Sequence, residues 1–365
     1  MKKFLCVCVL VSALVVPCLS DDDVRSRQYD ALGMDEVIDA VPDDAAYVEF
    51  SDEISLGDGL SEIVGRMSEG IRSAFGSALR CVATIVAVSV LASAVSALYP
   101  GGESPAVKNS ISLVSAIAVT GAASGNMLSM IGMGKQFISD IDLFSKAFLP
   151  TIAAAEAACG AAGASIAKAS AAVLFSDILI TLIRHVFIPL VYINIFAATA
   201  NAAAENNSLR KISDITVKTV SGALKFLVGI YVAYITVAGI VSGGFDKSGI
   251  KTAQFAIGGI PVVGGIISEA AETVIGGALV IKNVIGVFGM LVIVASCVTP
   301  LITMGINYIM FKVAGTLASP ITGAGVSELS DRLASSFGLV FAMCSTCALL
   351  MFIAIVSAMQ SVGVL

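Results

Sequence analysis

Long stretches without a charged side chain constrain this chain more than any other feature. Residues 81–99 run for nineteen positions without Asp, Glu, Lys or Arg, and residues 109–134 for twenty-six. Residues 226–245 add twenty, 283–311 twenty-nine and 333–365 thirty-three. About 20 apolar residues suffice for a helix to cross the hydrocarbon core of a bilayer, so each run predicts a membrane span. Inside lipid a backbone must satisfy its own polar groups, which makes the predicted fold all-α, a polytopic membrane helix bundle. Composition agrees. Hydrophobic residues make up 57% of the chain and charged ones 13%, against roughly 25% charged in an ordinary soluble domain. Tryptophan is absent, so interfacial anchoring falls to Tyr and Phe.

Between residues 147 and 204 the pattern is interrupted by Glu156, Lys168, Asp177, Arg184 and His185. The Ala-, Gly- and Ser-rich part, residues 153–172, suits close packing against other helices. One or two further spans are expected here, for six to eight transmembrane helices in all. The strongest positive cluster, Arg210, Lys211, Lys218 and Lys225, predicts a cytoplasmic loop.

The N-terminus has another character. Residues 1–20 carry Lys2 and Lys3, an apolar run and Pro17, the layout of a secretory signal peptide cleaved after Ser20. Residues 21–62 hold fourteen Asp or Glu against Arg25 and Arg27 alone, whereas residues 63–365 hold seventeen Lys or Arg against thirteen acids. Residues 21–59 are therefore expected to form an acidic, partly disordered extracytoplasmic segment, either a solvated spacer or a docking segment. Its charge would repel phosphates, so no nucleic-acid partner is expected. Residues 60–80 place Leu60, Ile63, Val64, Met67, Ile71, Ala74, Phe75 and Ala78 at three- and four-residue spacing. This predicts an amphipathic helix, lying in the headgroup plane or packed on the membrane domain of residues 81–365.

One apolar stretch breaks the rule of uncharged runs. QFAIGGIPVVGGIISEAAETVIGGALVIKN, residues 254–283, carries Glu269, Glu272 and Lys282. At the bilayer centre each charge costs roughly 2.5–3.5 kcal/mol. These groups must therefore lie near an interface, pair with one another, or line a wet cavity. Glu269 and Glu272 are three apart and share a helix face. The pairs Gly258-Gly259, Gly264-Gly265 and Gly276-Gly277, with Pro261, argue against one straight helix. A broken or re-entrant, protein-enclosed helical segment is expected, with Glu269, Glu272, Lys282 and Asn283 as candidate gate or cavity-lining residues.

Other candidates are weaker. Cys344 and Cys347 spell CSTC on an apolar run without histidine ligands, which fits small residues at a helix contact better than a metal or redox site. His185, the only histidine, could join Asp177 and Arg184 in a polar cluster, with a packing or interfacial role favoured over a proton relay. Ser165 and Lys168 have the spacing of a Ser-Lys dyad, but in a helix so rich in Ser and Ala that spacing carries little. No catalytic, cofactor-binding or metal-ligating residues are expected.

Residues 246–290, DKSGIKTAQFAIGGIPVVGGIISEAAETVIGGALVIKNVIGVFGM, resemble the core of stage III sporulation protein AE of endospore-forming bacteria. The resemblance rests on Lys251-Thr252-Ala253, Ile260-Pro261-Val262-Val263-Gly264, and Lys282-Asn283 followed by Gly286. Pro300, and Lys312 leading into Ala318-Ser319-Pro320-Ile321, extend it. It implies a multi-pass, non-enzymatic subunit of the complex joining mother cell to forespore, in the mother-cell membrane around the forespore. The implied partners are the other stage III sporulation A-operon proteins and, through them, the forespore stage II sporulation protein Q. The family brings no established site residues. The alternative expectation is an autonomous ion-coupled permease built on the glycine-rich segment.

Overall fold

The computed structural model describes the backbone of residues 21–360 apart from 52–53, 99–104, 205–206, 259–263 and 323. The expected signal peptide lies outside the described residues. The helices are α1 (Asp21–Ala31), α2 (Met34–Asp39), α3 (Leu56–Ala97), α4 (Pro105–Glu156), α5 (Ala162–Leu182), α6 (Ile188–Ala204), α7 (Asn207–Gly258), α8 (Gly264–Thr322) and α9 (Ala324–Gln360). A 3₁₀ turn (Asp43–Ala45) follows α2, and π turns at Ala157–Ala161 and Ile183–Phe187 join α4 to α5 and α5 to α6. No strand occurs among the described residues. Val- and Ile-rich runs that would suit a strand in water are helical, because a span in lipid must pair its own backbone groups.

Six helical stretches are long and apolar enough to cross a membrane: Leu56–Val95, Leu113–Cys159, Ile166–Ala203, Ser208–Ala238, Leu279–Pro320 and Val326–Met359. This is the lower end of the expected range, for two reasons. The region between residues 147 and 204 supplies one span of its own, since its first part completes α4 and the π turn at Ile183–Phe187 bends the chain without ending the span. The amphipathic segment of residues 60–80 is continuous with the first uncharged run in α3. Its apolar face is only half covered: Ile63, Ala74 and Ala78 are buried, while Val64 and Phe75 are exposed.

Packing follows from a few close approaches. α8 and α9 form an antiparallel hairpin: Gly315 lies against Ser327 and Ser330 near the turn, Gly338 against Tyr308, and Gly286 against Met359 at the far end. α4 runs antiparallel to α8, with Phe148 seated on Gly289 and Asn126 Nδ2 donating to Asn307 Oδ1 at 2.5 Å. α5 and α6 return along α4. Lys146 pairs with Asp177 at 3.1 Å, Arg184 donates to Ser139 Oγ at 3.1 Å, and the Thr120 and Thr199 hydroxyls meet at 3.1 Å. α7 is tied back to α5 and α6 where Tyr234 Oη donates to the Ala167 carbonyl at 3.3 Å and Ser213 Oγ to Asn194 Oδ1 at 2.5 Å.

The acidic segment is seated on this bundle through its few apolar residues. Met34, Val37 and Ala45 are buried, and Phe50 stands edge-on between Tyr29 and Phe288 of α8, at 4.9 and 5.3 Å. The Arg66 guanidinium covers the Tyr47 ring at 4.1 Å, joining the segment to α3.

A methyl group built on Gly289 would run into the Phe148 ring, whereas one on Gly121 meets open space. Gly289→Ala is therefore expected to destabilise the folded protein by roughly 1–3 kcal/mol, the cost of overpacking. Gly121→Ala should be neutral or stabilise by up to about 1 kcal/mol through helix propensity. Unfolding of the two variants in detergent micelles, compared with the parent chain, measures both.

Candidate functional site

α7 ends at Gly258 and α8 begins at Gly264. Gly259 and Pro261 lie outside the described residues. The third pair differs from expectation: the backbone is helical through Gly276 and Gly277, well inside α8, so no break occurs there. A glycine pair makes a break inexpensive without forcing one, and the i→i−4 ladder continues across it. Gly265 is likewise helical. The side chains of Glu269 and Glu272 lie outside the described residues, but their place on α8 is fixed. Ten residues of helix set Glu272 about 15 Å along the axis from Lys282, so Lys282 does not draw its compensation from them.

Lys282 is 1% exposed, and its ammonium donates to the Met359 carbonyl at 3.0 Å. That carbonyl belongs to the last turn of α9, where the helix leaves its acceptors unpaired and carries partial negative charge. The groups within electrostatic reach of Lys282 are Glu156, Cys159 and Lys168. Glu156 is 1% exposed, Cys159 fully buried and Lys168 7% exposed. Three ionisable side chains from α4, α5 and α8 thus gather at one end of the bundle, beside the terminus of α9. The π turn Ala157–Ala161 begins immediately after Glu156. Such a turn accepts one more residue per ring than an α-helix and recurs at functional positions. A cavity of about 10 Å³ adjoins the cluster, bordered by Glu156, Lys168, Ile235 and Ala358, room for roughly one water molecule. Asn283, next to Lys282, points outward and is exposed.

A second polar group closes the opposite end. Asn194 Nδ2 donates to Ser336 Oγ at 2.8 Å, and Ser336 Oγ donates to the Arg332 carbonyl at 3.3 Å. The Arg332 guanidinium reaches Glu328 at 2.9 Å and Asp214 at 3.2 Å, and Arg210 lies 3.4 Å from Glu328. α6, α7 and α9 are thereby pinned beside the α8–α9 turn.

The remaining candidates do not gather. Asp177 pairs with Lys146, Arg184 with Ser139, and the exposed His185 ring with the Thr181 carbonyl at 3.1 Å. Cys344 and Cys347 are free and buried, with Cys344 Sγ 3.8 Å from the Gly134 carbonyl where α9 meets α4. The sequence marked Glu156 only as an interruption of an apolar region, and Lys168 as that and as the weak partner of Ser165. Nothing local connects them to Lys282, which lies more than a hundred residues further on.

The family model described as stage III sporulation protein AE matches residues 48–362. Stage III sporulation protein AE of Bacillus subtilis (strain 168) is 25% identical over 175 residues, 48% of this chain and 44% of that protein. The chain therefore spans less than half the length of that relative in the match. No solved structure matches the chain.

Charge balance in the cluster gives an ordered expectation. Glu156→Gln leaves the Lys168 and Lys282 ammoniums buried without their anion, and should cost about 3–5 kcal/mol of stability. Lys282→Met leaves one carboxylate with one ammonium and should cost less. The double variant Glu156→Gln/Lys168→Met should recover part of the first loss. Denaturant unfolding of the detergent-solubilised protein measures all three, and equal losses for Glu156→Gln and Lys282→Met would refute the assignment.

Proposed function

The chain belongs to the stage III sporulation protein AE family, and from that premise we propose that it is a non-enzymatic membrane subunit of the channel or secretion-like complex joining mother cell and forespore. In this reading it sits in the mother-cell membrane around the forespore and works with the other stage III sporulation A-operon proteins. Through them it meets the forespore stage II sporulation protein Q. The observation that carries the reading is the closed cluster around Lys282. Its charges are spent on holding α4, α5, α8 and α9 together, and the adjoining cavity has room for about one water molecule. A side chain placed this way serves a scaffold whose gating depends on neighbours better than a solute path of its own. Glu269 and Glu272, with Gly258 and Gly264 before them in the chain, are the proposed movable part. They lie on the same helix as Lys282, beyond its anchored point.

Ion-coupled transport by the chain alone is the competing reading, favoured by one fact: Glu156 and Lys168 border a cavity, and Lys282 lies within electrostatic reach of both. Reconstitution separates the two. The chain by itself in liposomes should pass neither ions nor small solutes, and spore formation should fail when its partners are deleted. Solute flux through the isolated chain that is lost in Glu156→Gln would reverse the assignment. Glu269→Gln and Glu272→Gln should impair spore formation without lowering the amount of folded protein in the membrane. Unimpaired sporulation in both would remove them from the mechanism.

A further inference from the structure

Arg210, Lys211, Lys218 and Lys225, expected as a cytoplasmic loop, lie instead within helix α7, where Lys211, Lys218 and Lys225 recur at intervals of seven residues. That spacing keeps them on one stripe of the helix over about 21 Å. All three are exposed, and none has an ion-pair or hydrogen-bond partner among the described residues. Their neighbours differ: Arg210, Lys312 and Arg332 pair with Glu328, Asp331 and Asp214. Ile215 and Phe226 flank the stripe, 63% and 68% exposed. Gly222 and Gly229 lie within it, each with open space where a side chain would stand. Small residues between apolar ones are what a helix presents to another helix at close range.

The stripe does not suit lipid. α7 is set against α5 and α6 by Ser213 on Asn194 and by Tyr234 on the Ala167 carbonyl. Those contacts place Lys211 and Lys218 at the height of the uncharged residues 186–204 of α6. A lysine near a helix end can reach the headgroups, but three spread over this length cannot all do so. The stripe therefore calls for a protein surface that brings carboxylates.

This chain has such a surface on its other edge. The acidic segment touches α3, α4 and α8, whereas α7 touches α5, α6 and α9 and shares only α8 with it. Asp35, Glu36, Asp39, Asp43, Asp44 and Glu49 are all exposed, and none is in an ion pair among the described residues. The heights correspond at one point. Asp43 and Asp44 lie within electrostatic reach of Asp140, whose neighbour Ser139 is bonded to Arg184. The register of α7 sets Lys225 beside that same part of α5.

We propose that copies of this chain associate head to tail, the Lys218–Lys225 end of the α7 stripe, with Gly222 and Gly229, in one copy facing the acidic N-terminal segment of the next. Two different edges meeting in this way make a heterologous interface, which closes into a ring or continues as a helix. The proposal concerns self-assembly and does not depend on the transport reading above.

The test uses the full-length protein in its own membrane. Two differently tagged copies are co-expressed, one with Lys225→Cys and the other with Asp44→Cys, and a short bifunctional maleimide is added. A cross-linked product carrying both tags is expected for the pair and absent from either single variant with the parent chain. The native mass of the protein in nanodiscs should exceed one copy, and fall to one copy in Lys218→Glu/Lys225→Glu. Adding Asp43→Lys/Asp44→Lys to the same chain should restore the larger mass. A parent chain that is monomeric in nanodiscs, or an oligomer with no cross-link between these positions, would overturn the proposal. So would a larger mass present with anionic lipids and lost with zwitterionic ones, since that assigns the stripe to headgroups. Protection of Lys225→Cys only when another sporulation membrane protein is present would instead give the surface to a different partner.

Discussion

Burying Lys282 is costly in so apolar a bundle, and the elements that meet at it are those that compensate it. A free ammonium in this interior would give up its hydration without return. Here the last turn of α9 supplies a carbonyl, and α4 supplies the Glu156 carboxylate nearby. Neither works unless α9 runs beside α8 to its own last turn, and unless α4 reaches the same height before its π turn. The glycines of α8 make this possible. Gly286 admits Met359 and Gly289 admits Phe148, so α9 and α4 both approach closely just past Lys282. Close packing and charge compensation are one arrangement, and changing either disturbs the other.

The opposite end is organised in the same manner with different residues. Arg332 is drawn inward by Glu328 and Asp214, and Asn194 links the Ser213 and Ser336 hydroxyls between three helices. Between the two polar ends the contacts are predominantly apolar, as with Phe311 against Phe337 at 4.7 Å. Apolar packing inside a membrane has no hydrophobic drive, because lipid tails are as apolar as leucine. The register of the helices is therefore set mainly where polar groups demand particular partners. Asn126 on Asn307 is the clearest such point within the apolar middle.

What could be read from the residues divides along these lines. Uncharged runs in a largely apolar chain are sufficient for helices, because nothing else satisfies a backbone in lipid. The spans in α8 and α9 were legible in place, with bounds of 283–311 and 333–365 expected against Leu279–Pro320 and Val326–Met359. The limits of α3 and α4 were not, since both helices extend past their uncharged runs into charged sequence and no glycine or proline stops them. Residues 254–283 announced a special segment through charge and glycine content, yet only Lys282 among its charges is placed in a described polar cluster. Its partners were invisible for a simple reason. Glu156 and Met359 are brought to it by antiparallel packing over separations of more than seventy residues, and side-chain spacing along one helix carries no information about that. The third glycine pair was misread because glycine permits a bend but does not impose one.

The register of the bundle also raises a point about its surroundings. Phe148 on Gly289 and Asn126 near Asn307 align α4 with α8. With that alignment the uncharged residues 109–134 of α4 lie opposite the C-terminal part of α8, from about residue 301, and the start of α9, whereas the uncharged run of α8 is 283–311. The centres of the two runs are displaced by on the order of 25 Å along the bundle, close to the ~30 Å thickness of a hydrocarbon core. A lipid belt set on the longer apolar stretches Leu113–Cys159 and Leu279–Pro320, which lie at one height in this register, takes in charged side chains of α4 and of the helices beside it. Exposed groups such as Lys135, Arg184 and Lys218 must then face something other than lipid tails. For a single chain that surface is unfavourable. In an assembly where neighbouring subunits cover it, the displaced runs and the unpaired lysines of α7 become compatible with a membrane. In the proposed assembly the exposed charge of α7 and the register of the bundle are thus met by the same neighbouring surface.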